Sequence, residues 1–298
     1  MTSSLGAEEP KSAAQSHPED ANVDPLVAAG FGDEWTRFDQ AALAASDKQR
    51  IFGEYFAIFP WKSLGSNAVG ADFGCGSGRW ASVVAERVGR LYCIDASAEA
   101  LAVATRNLAM HANCRFMNAS VGSLQALPEK LDFGYSLGVL HHIPDTLEGL
   151  RSCVATLKPG APFLVYLYYR FDQRPAWFRA LWRTSDLVRR LISKLPYGAR
   201  YFASQVMATL VYWPLARVAA VCERSKIPIG SFPLAYYRDK SFYVMRTDAL
   251  DRFGTRLEQR FTRVEIEKMM RAAGLIDIRF SDHAPYWCAV GTRSPETI

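Results

Sequence analysis

No C-x-x-C pair occurs among the six cysteines, at 75, 93, 114, 153, 222 and 288, and most of them stand in apolar surroundings. Scattered thiols of that kind argue against a disulfide framework and predict reduced, buried cysteines in a cytoplasmic setting. Histidine is scarce too: the five show no H-x-x-x-H spacing with each other or with acids, so no metal site is expected. The first 25 residues, rich in Ser, Ala, Glu and Pro, lack an apolar h-region. A secretory signal is thereby excluded, and residues 1–24 read as a disordered tail. No stretch reaches the ~18 uninterrupted apolar residues of a spanning helix. A net charge of +5 is too modest to demand nucleic acid, and no RNA-binding module is visible.

What the chain does have is enough apolar sequence, 49% against 22% charged, for one large α/β domain with an elaboration or two small ones. Its most informative stretch is ADFGCGSGRW, from Ala71 to Trp80. A short apolar run precedes it, and apolar residues at helical spacing follow, which gives strand, glycine turn, helix. Glycines at such a turn allow positive φ and close backbone approach to a ligand, beside the unpaired N–H groups of a helix start. The dinucleotide fingerprint G-x-G-x-x-G fails here, because Arg79 stands where its third glycine belongs. A nucleoside without a pyrophosphate fits better, and the carboxylate of Asp72 at the strand end suits a cationic one.

The rest of the chain alternates. Strands are predicted at 69–73, 90–94, 114–118, 131–137 and 162–169, with helices at 80–88, 98–110 and 146–157 between them, the pattern of a parallel sheet wound on both faces. Two last strands, 275–281 and 286–292, are separated by Asp282-His283-Ala284-Pro285, a link short enough only for an antiparallel hairpin. The acid Asp95, ending the second strand, is placed to accept both ribose hydroxyls of an adenosine, or to cap the next helix.

The run Asp72-Phe-Gly-Cys-Gly-Ser-Gly resembles the first motif of the class I S-adenosylmethionine-dependent methyltransferases, and Leu137-Gly-Val-Leu-His-His-Ile-Pro-Asp is similar to a segment of their small-molecule (type 11/12-like) branch. The resemblance covers roughly residues 65–170 plus the terminal hairpin. It implies a Rossmann-like, doubly wound, mostly parallel seven-stranded sheet ending in an antiparallel hairpin. It also implies S-adenosyl-L-methionine as cofactor, contacted by Asp72, Gly74, Cys75, Gly76, Gly78, Asp95, Ala96, Ser120, Val121 and Leu137. At Ser120 the family often has Asp. The N/D-P-P-Y/F and Pro-Cys runs of nucleic-acid and protein-glutamine methylases are missing after the fourth strand. The expected reaction is methylation of an oxygen or nitrogen on a small molecule such as a secondary metabolite, sugar or quinone-like acceptor.

Either His142 or His141 is a candidate general base, because imidazole titrates near neutrality, although both also suit a role in ordering the turn. Trp35, Phe38, Tyr237, Asp251 and Arg260 are candidate acceptor contacts, the first two, three apart in a first helical segment, reading also as a lid over the cofactor or as a packing stripe. Thr262 with Glu265 reads as a capping box. The expected organisation is a helical lid over 25–64, a cofactor-binding core over 65–170, a helical cap insertion over 171–246, and a C-terminal helix with the hairpin over 247–298. From Arg170 to Arg200 the insertion carries eight Lys or Arg against two acids, interleaved with Trp177, Phe178, Trp182 and Tyr197. A solvated basic face accounts for that composition, and so does a cap for an anionic or amphiphilic acceptor making peripheral membrane contact. Two other readings stay open at this stage: an inert cofactor-binding partner protein, and, disfavoured by Arg79 and the hairpin, a nicotinamide oxidoreductase.

Overall fold

The computed structural model describes residues 22–172 and 174–295. Seven strands form one sheet in the order β3-β2-β1-β4-β5-β7-β6, with β1 Val69–Phe73, β2 Arg90–Asp95, β3 Cys114–Asn118, β4 Phe133–Leu137, β5 Pro162–Tyr166, β6 Leu275–Phe280 and β7 Cys288–Arg293. The first five pair in parallel, and β7 runs antiparallel to both β5 and β6. The architecture expected from the sequence is therefore present, hairpin included. Strands β1, β2, β4 and β5 are near-continuous apolar runs because both faces are covered. Ala71 and Phe73 of β1 belong to one core layer with Leu131, Leu150 and Phe163, while Cys93, Phe133 and Tyr135 belong to the layer on the opposite face.

Among the described residues ten α-helices surround the sheet: α1 Pro25–Arg37, α2 Ala45–Tyr55, α3 Ala81–Val84, α4 Ala98–Asn107, α5 Thr146–Ala155, α6 Ala176–Ile192, α7 Tyr197–Met207, α8 Trp213–Arg224, α9 Phe242–Gly254 and α10 Arg263–Ala272. The helix expected over 80–88 is shorter: after α3 it tightens to a 3-10 turn, Ala85–Arg87, before Gly89. Four corrections concern organisation. Residues 1–21 of the expected tail lie outside the described residues, but Asn22 exchanges hydrogen bonds with the Asp145 backbone and Asp24 caps α1 through the N–H groups of Leu26 and Val27. Of the region 25–64 only α1 lies over the carboxyl edge of the sheet. Phe52, Phe56 and Phe59, in and after α2, pack into the core against Trp80 and Phe133 instead. The expected boundary at 246/247 cuts α9, which Ser241 starts by capping Val244. Finally, a five-residue π turn, Ala208–Tyr212, joins α7 to α8 in one continuous helix, Tyr197–Arg224, long and apolar enough by length and composition to cross a membrane.

Strand order reverses between β1 and β4, and the crevice outside their carboxyl ends is where open α/β sheets bind ligands. The glycine turn leaves β1 at that point.

Candidate active site

Gly74, Gly76 and Gly78 follow β1 with φ of 81°, 53° and 75°, in the left-handed region that side chains rarely adopt. Their surroundings differ. A methyl group on Gly74 would lie 2.4 Å from Val139, and one on Gly76 would lie 2.8 Å from the Trp35 indole, so both positions need close backbone approach. At Gly78 the same methyl would strike Leu108 of α4. Asp95, at the end of the neighbouring β2, accepts the Gly76 N–H on Oδ2 and the Ser97 N–H on Oδ1, each at 2.8–2.9 Å. The carboxylate thus braces the turn while its remaining lone pairs stay available. Burial raises its pKa, against those two backbone bonds.

Beside this turn is a cavity of about 110 Å³. Its floor is Gly74, Asp95, Ala96, Ser120, Val121 and Leu137, and its roof is Val27, Phe31 and Trp35 of α1 with the preceding residues 22–24. His142 closes one end, its ring 5.0 Å from that of Phe31.

Beyond His142 the structure gathers a polar cleft that the sequence had not assembled. Tyr55, Tyr166, Tyr168, Tyr236, Tyr237, Asp248 and Asp251 lie deep in the protein, yet each keeps some accessible surface, as side chains facing an internal cleft do. Burial pushes the Asp248 carboxyl up to about 6, partly opposed by Arg79. Glu34, on the inner face of α1, is raised well above the usual carboxylate range by burial and then by Asp251 and Asp248. Asp251 is raised as well, by burial, and the Tyr168 hydroxyl donates to its Oδ2. Its Oδ1 has no hydrogen-bond partner and lies 3.7 Å from His142 Nε2.

The tautomer of His142 follows from geometry. Its Nδ1 is 2.7 Å from the Leu257 carbonyl oxygen, which only accepts, so Nδ1 carries a proton and in the neutral ring Nε2 presents a lone pair. Nε2, Asp251 Oδ1 and Arg79 Nε are all buried and unpartnered. Native interiors satisfy such atoms, so a polar ligand belongs here.

Residues 71–160 match the family model described as a methyltransferase domain. Among curated proteins the chain is similar to ubiquinone biosynthesis O-methyltransferases. It is 32% identical over 92 residues to the one from Stutzerimonas stutzeri, covering 30% of this chain and 39% of that one. It is 32% identical over 136 residues to the one from Pseudomonas fluorescens, covering 43% and 59%, and 29% identical over 133 residues to the one from Xanthomonas campestris, covering 44% and 53%. The chain thus spans between 39% and 59% of the length of these relatives. In fold it is similar to magnesium protoporphyrin IX methyltransferase from Synechocystis PCC 6803 with bound S-adenosylhomocysteine, at a TM-score of 0.50 and 14% identity over 90% of this chain and 96% of that one. Residues 71–160 thus carry a methyltransferase domain.

Set against the cofactor of this methyltransferase family, the site's residues fit. The glycine cradle, the doubly braced Asp95 and the apolar wall of Val121 and Leu137 match an adenosine. The cofactor candidates divide accordingly. Gly74, Asp95, Ala96, Ser120, Val121 and Leu137 line the methyltransferase cavity. Gly76 meets the Trp35 roof. Cys75 and Asp72 are buried beneath the turn rather than on the cavity wall, and Gly78 serves helix packing.

Other expectations need correction. Trp35 roofs the cofactor cavity instead of meeting an acceptor, and Phe38 is buried against Tyr201 and Tyr243, as a packing residue. Arg260 bonds Glu258 at 2.7 Å and stacks over Tyr168, so it buttresses the cleft wall. His141 is fully buried, stacked on Tyr168 with 3.8 Å between ring centroids, and burial holds it well below the usual imidazole range; it neither lines the cavity nor titrates near neutrality. Asp251 and Tyr237 do face the cleft. Reading by sequence missed Glu34, Arg79, Tyr168 and Asp248. For Glu34 a signal existed, since it shares the inward stripe Val27, Phe31, Glu34, and a carboxylate on an apolar stripe is unusual.

Asp72 supplies a pH test of this site. Burial raises its carboxyl from 3.8 to about 8, against the Tyr135 hydroxyl beside it. The folded state therefore holds a proton that the unfolded state releases, and stability falls as pH rises from the unfolded to the folded value, levelling above about 8. Between about pH 6 and about pH 8 the wild type is expected to lose about 2 kcal/mol relative to Asp72→Asn. Denaturant unfolding of both proteins across that range checks it; parallel curves refute the raised value.

Proposed function

We propose that this protein transfers a methyl group from S-adenosylmethionine to a hydroxyl oxygen of a small, ring-bearing, quinone-like acceptor. The observation that carries the reading is the His142 tautomer: Nδ1 is fixed by the Leu257 carbonyl, and the Nε2 lone pair sits between the cofactor cavity and a tyrosine-lined cleft, beside Asp251. When bound, S-adenosylmethionine supplies an electrophilic methyl group.

The chain's own residues do the rest. Gly74, Gly76 and Asp95 hold the adenosine, and Phe31 and Trp35 of α1 exclude water. His142 Nε2 takes the hydroxyl proton of the acceptor as its oxygen becomes nucleophilic, and Asp251 Oδ1 stabilises the resulting imidazolium. Glu34, kept from ionising by burial, offers an O–H donor to a further oxygen of the acceptor ring. A cleft of tyrosines with one protonated carboxyl suits an oxygen-substituted aromatic ring. The curated relatives are named for ubiquinone biosynthesis O-methylation, which supports the same acceptor class. An acceptor of that class with a lipid tail also accords with a cap making peripheral membrane contact.

The test offers the purified protein isotope-labelled S-adenosylmethionine with ortho-dihydroxy aromatics, an aromatic amine and a sugar nucleotide in parallel. Label is expected on the phenolic oxygen only. Transfer to the amine alone would overturn oxygen as the target, and cofactor binding without any transfer would leave the inert partner reading.

A further inference from the structure

The cap is built inside out. Along α6, Trp177, Leu181, Val188 and Leu191 recur at helical spacing on one face, and that face is the exposed one: Trp177 is 53% and Leu191 70% accessible. Its inner face carries Asp186 and Arg189, both buried and paired at 2.7 Å. The continuous helix α7–α8 repeats the inversion. Arg200, Ser204, Ala208 and Tyr212, four apart, point inward, with Arg200 donating to the Gly254 carbonyl, while Phe202, Leu210 and Trp213 point out, Phe202 at 71%. Both helices pack on α9 and turn these apolar faces away from it. A fold that places small and charged residues inside and large apolar ones outside has a covering surface outside itself.

Charge tells which surface. Between Ala176 and Lys226 there are nine Lys and Arg against two acids. Asp186 is taken by Arg189 and Glu223 by Arg238. Arg183, Arg190 and Lys194 border the apolar face of α6, Arg190 pairing with Asp186 at 2.9 Å, and a cavity of about 490 Å³ on the inner side of the helix mixes Arg170, Arg179 and Arg183 with Asp172, Asp186 and Glu258. A second copy of the chain, meeting this face by a twofold, would set arginine rims against each other. A helix with a strong apolar face, a charged opposite face, arginines along the boundary and tryptophan on the apolar side is the interfacial type.

We infer that this cap docks in the plane of an anionic lipid bilayer, the outer faces of α6 and α7–α8 sunk among the acyl chains and the cations bordering them, Arg183, Arg190 and Lys194, meeting lipid phosphate. The helix lies in the surface and does not cross it, because its inner face is committed to α9 through Arg200, Ala208, Tyr212 and Ala216. The same α9 carries Asp248 and Asp251 into the cleft, so the bilayer face and the acceptor cleft share a wall. Docking stands independently of methyl transfer, since vesicles report it with no acceptor present.

The experiment is co-sedimentation of the full chain with phosphatidylcholine vesicles, with and without phosphatidylglycerol. Binding is expected only with phosphatidylglycerol, falling at least tenfold in Leu191→Glu/Phe202→Glu and in Arg183→Glu/Arg190→Glu, with S-adenosylhomocysteine affinity unchanged in calorimetry as the check that both variants fold. No binding to either vesicle overturns the inference. So does equal binding to neutral vesicles with the arginine variant unaffected, and so does a concentration-dependent dimer in solution that Leu191→Glu/Phe202→Glu dissolves.

Discussion

Asp95→Ala is expected to weaken S-adenosylhomocysteine binding by roughly a hundredfold, close to 3 kcal/mol, and to lower thermal stability as well. The carboxylate acts in two directions. Toward the protein it accepts the Gly76 and Ser97 N–H groups, and toward the cavity it offers its remaining lone pairs. Alanine removes the ligand contacts, which as hydrogen bonds to a charged group are worth about 1.5–3 kcal/mol. It also frees two backbone donors, and the Gly76 N–H sits under the Trp35 roof where water reaches it poorly.

The two effects separate by experiment. Calorimetry well below the unfolding temperature reads the affinity, and the melting temperature of the free protein reads the turn. Asp95→Asn is not a neutral control, because its amide would set N–H donors against either Gly76 or Ser97. Asp251→Asn is the better one, since it changes a carboxylate on the far side of His142 and leaves the glycine turn alone. If Asp95→Ala melts lower but binds S-adenosylhomocysteine as the wild type does, the carboxylate is only a brace and its ribose role is lost.

Why Asp95 was legible in the sequence, and Glu34 and Asp248 were not, is a matter of range. The glycine turn, the acid ending β2 and the terminal hairpin are each set by a few neighbouring residues: positive φ demands glycine, and a short link demands an antiparallel partner. The acceptor cleft draws on residues 34, 55, 79, 166, 168, 237, 248 and 251, brought together only when α1 and α9 close over the sheet edge. Composition also carries no direction. Aromatic and basic residues at helical spacing predicted the cap helices, but periodicity alone does not say which face turns inward, and on α6 it is the charged one. Phe38 and Arg260 misled in the same way, as an aromatic and a cation whose partners, Tyr201 and Glu258, lie on distant or locally folded segments. Arg79 was legible only as the lack of a glycine, whereas its guanidinium, stacked 4.1 Å over Trp80, is the cation that favours the ionised form of Asp248 against burial.

Replacing His142 separates binding from turnover more sharply than any other change. His142→Ala is expected to lower kcat about a hundredfold, at the lower end of what a general base supplies, because the electrophile is already activated and alignment carries part of the rate. Cofactor affinity should hardly move, since the ring closes the end of the cavity and does not touch the glycine turn. His142→Gln keeps a donor toward the Leu257 carbonyl and much of the volume against Phe31, but has no titratable lone pair to offer, so a structural role predicts recovery with glutamine and a base predicts none. Asp251→Asn is expected to cost less, since it removes only the charge facing the imidazolium 3.7 Å away and leaves Nε2 able to accept. The split between rate and affinity decides between the roles: a base at position 142 predicts a low kcat in His142→Gln with S-adenosylhomocysteine affinity unchanged in calorimetry. A glutamine variant that keeps the rate would remove His142 from the chemistry and leave methyl transfer to alignment and desolvation within the cleft.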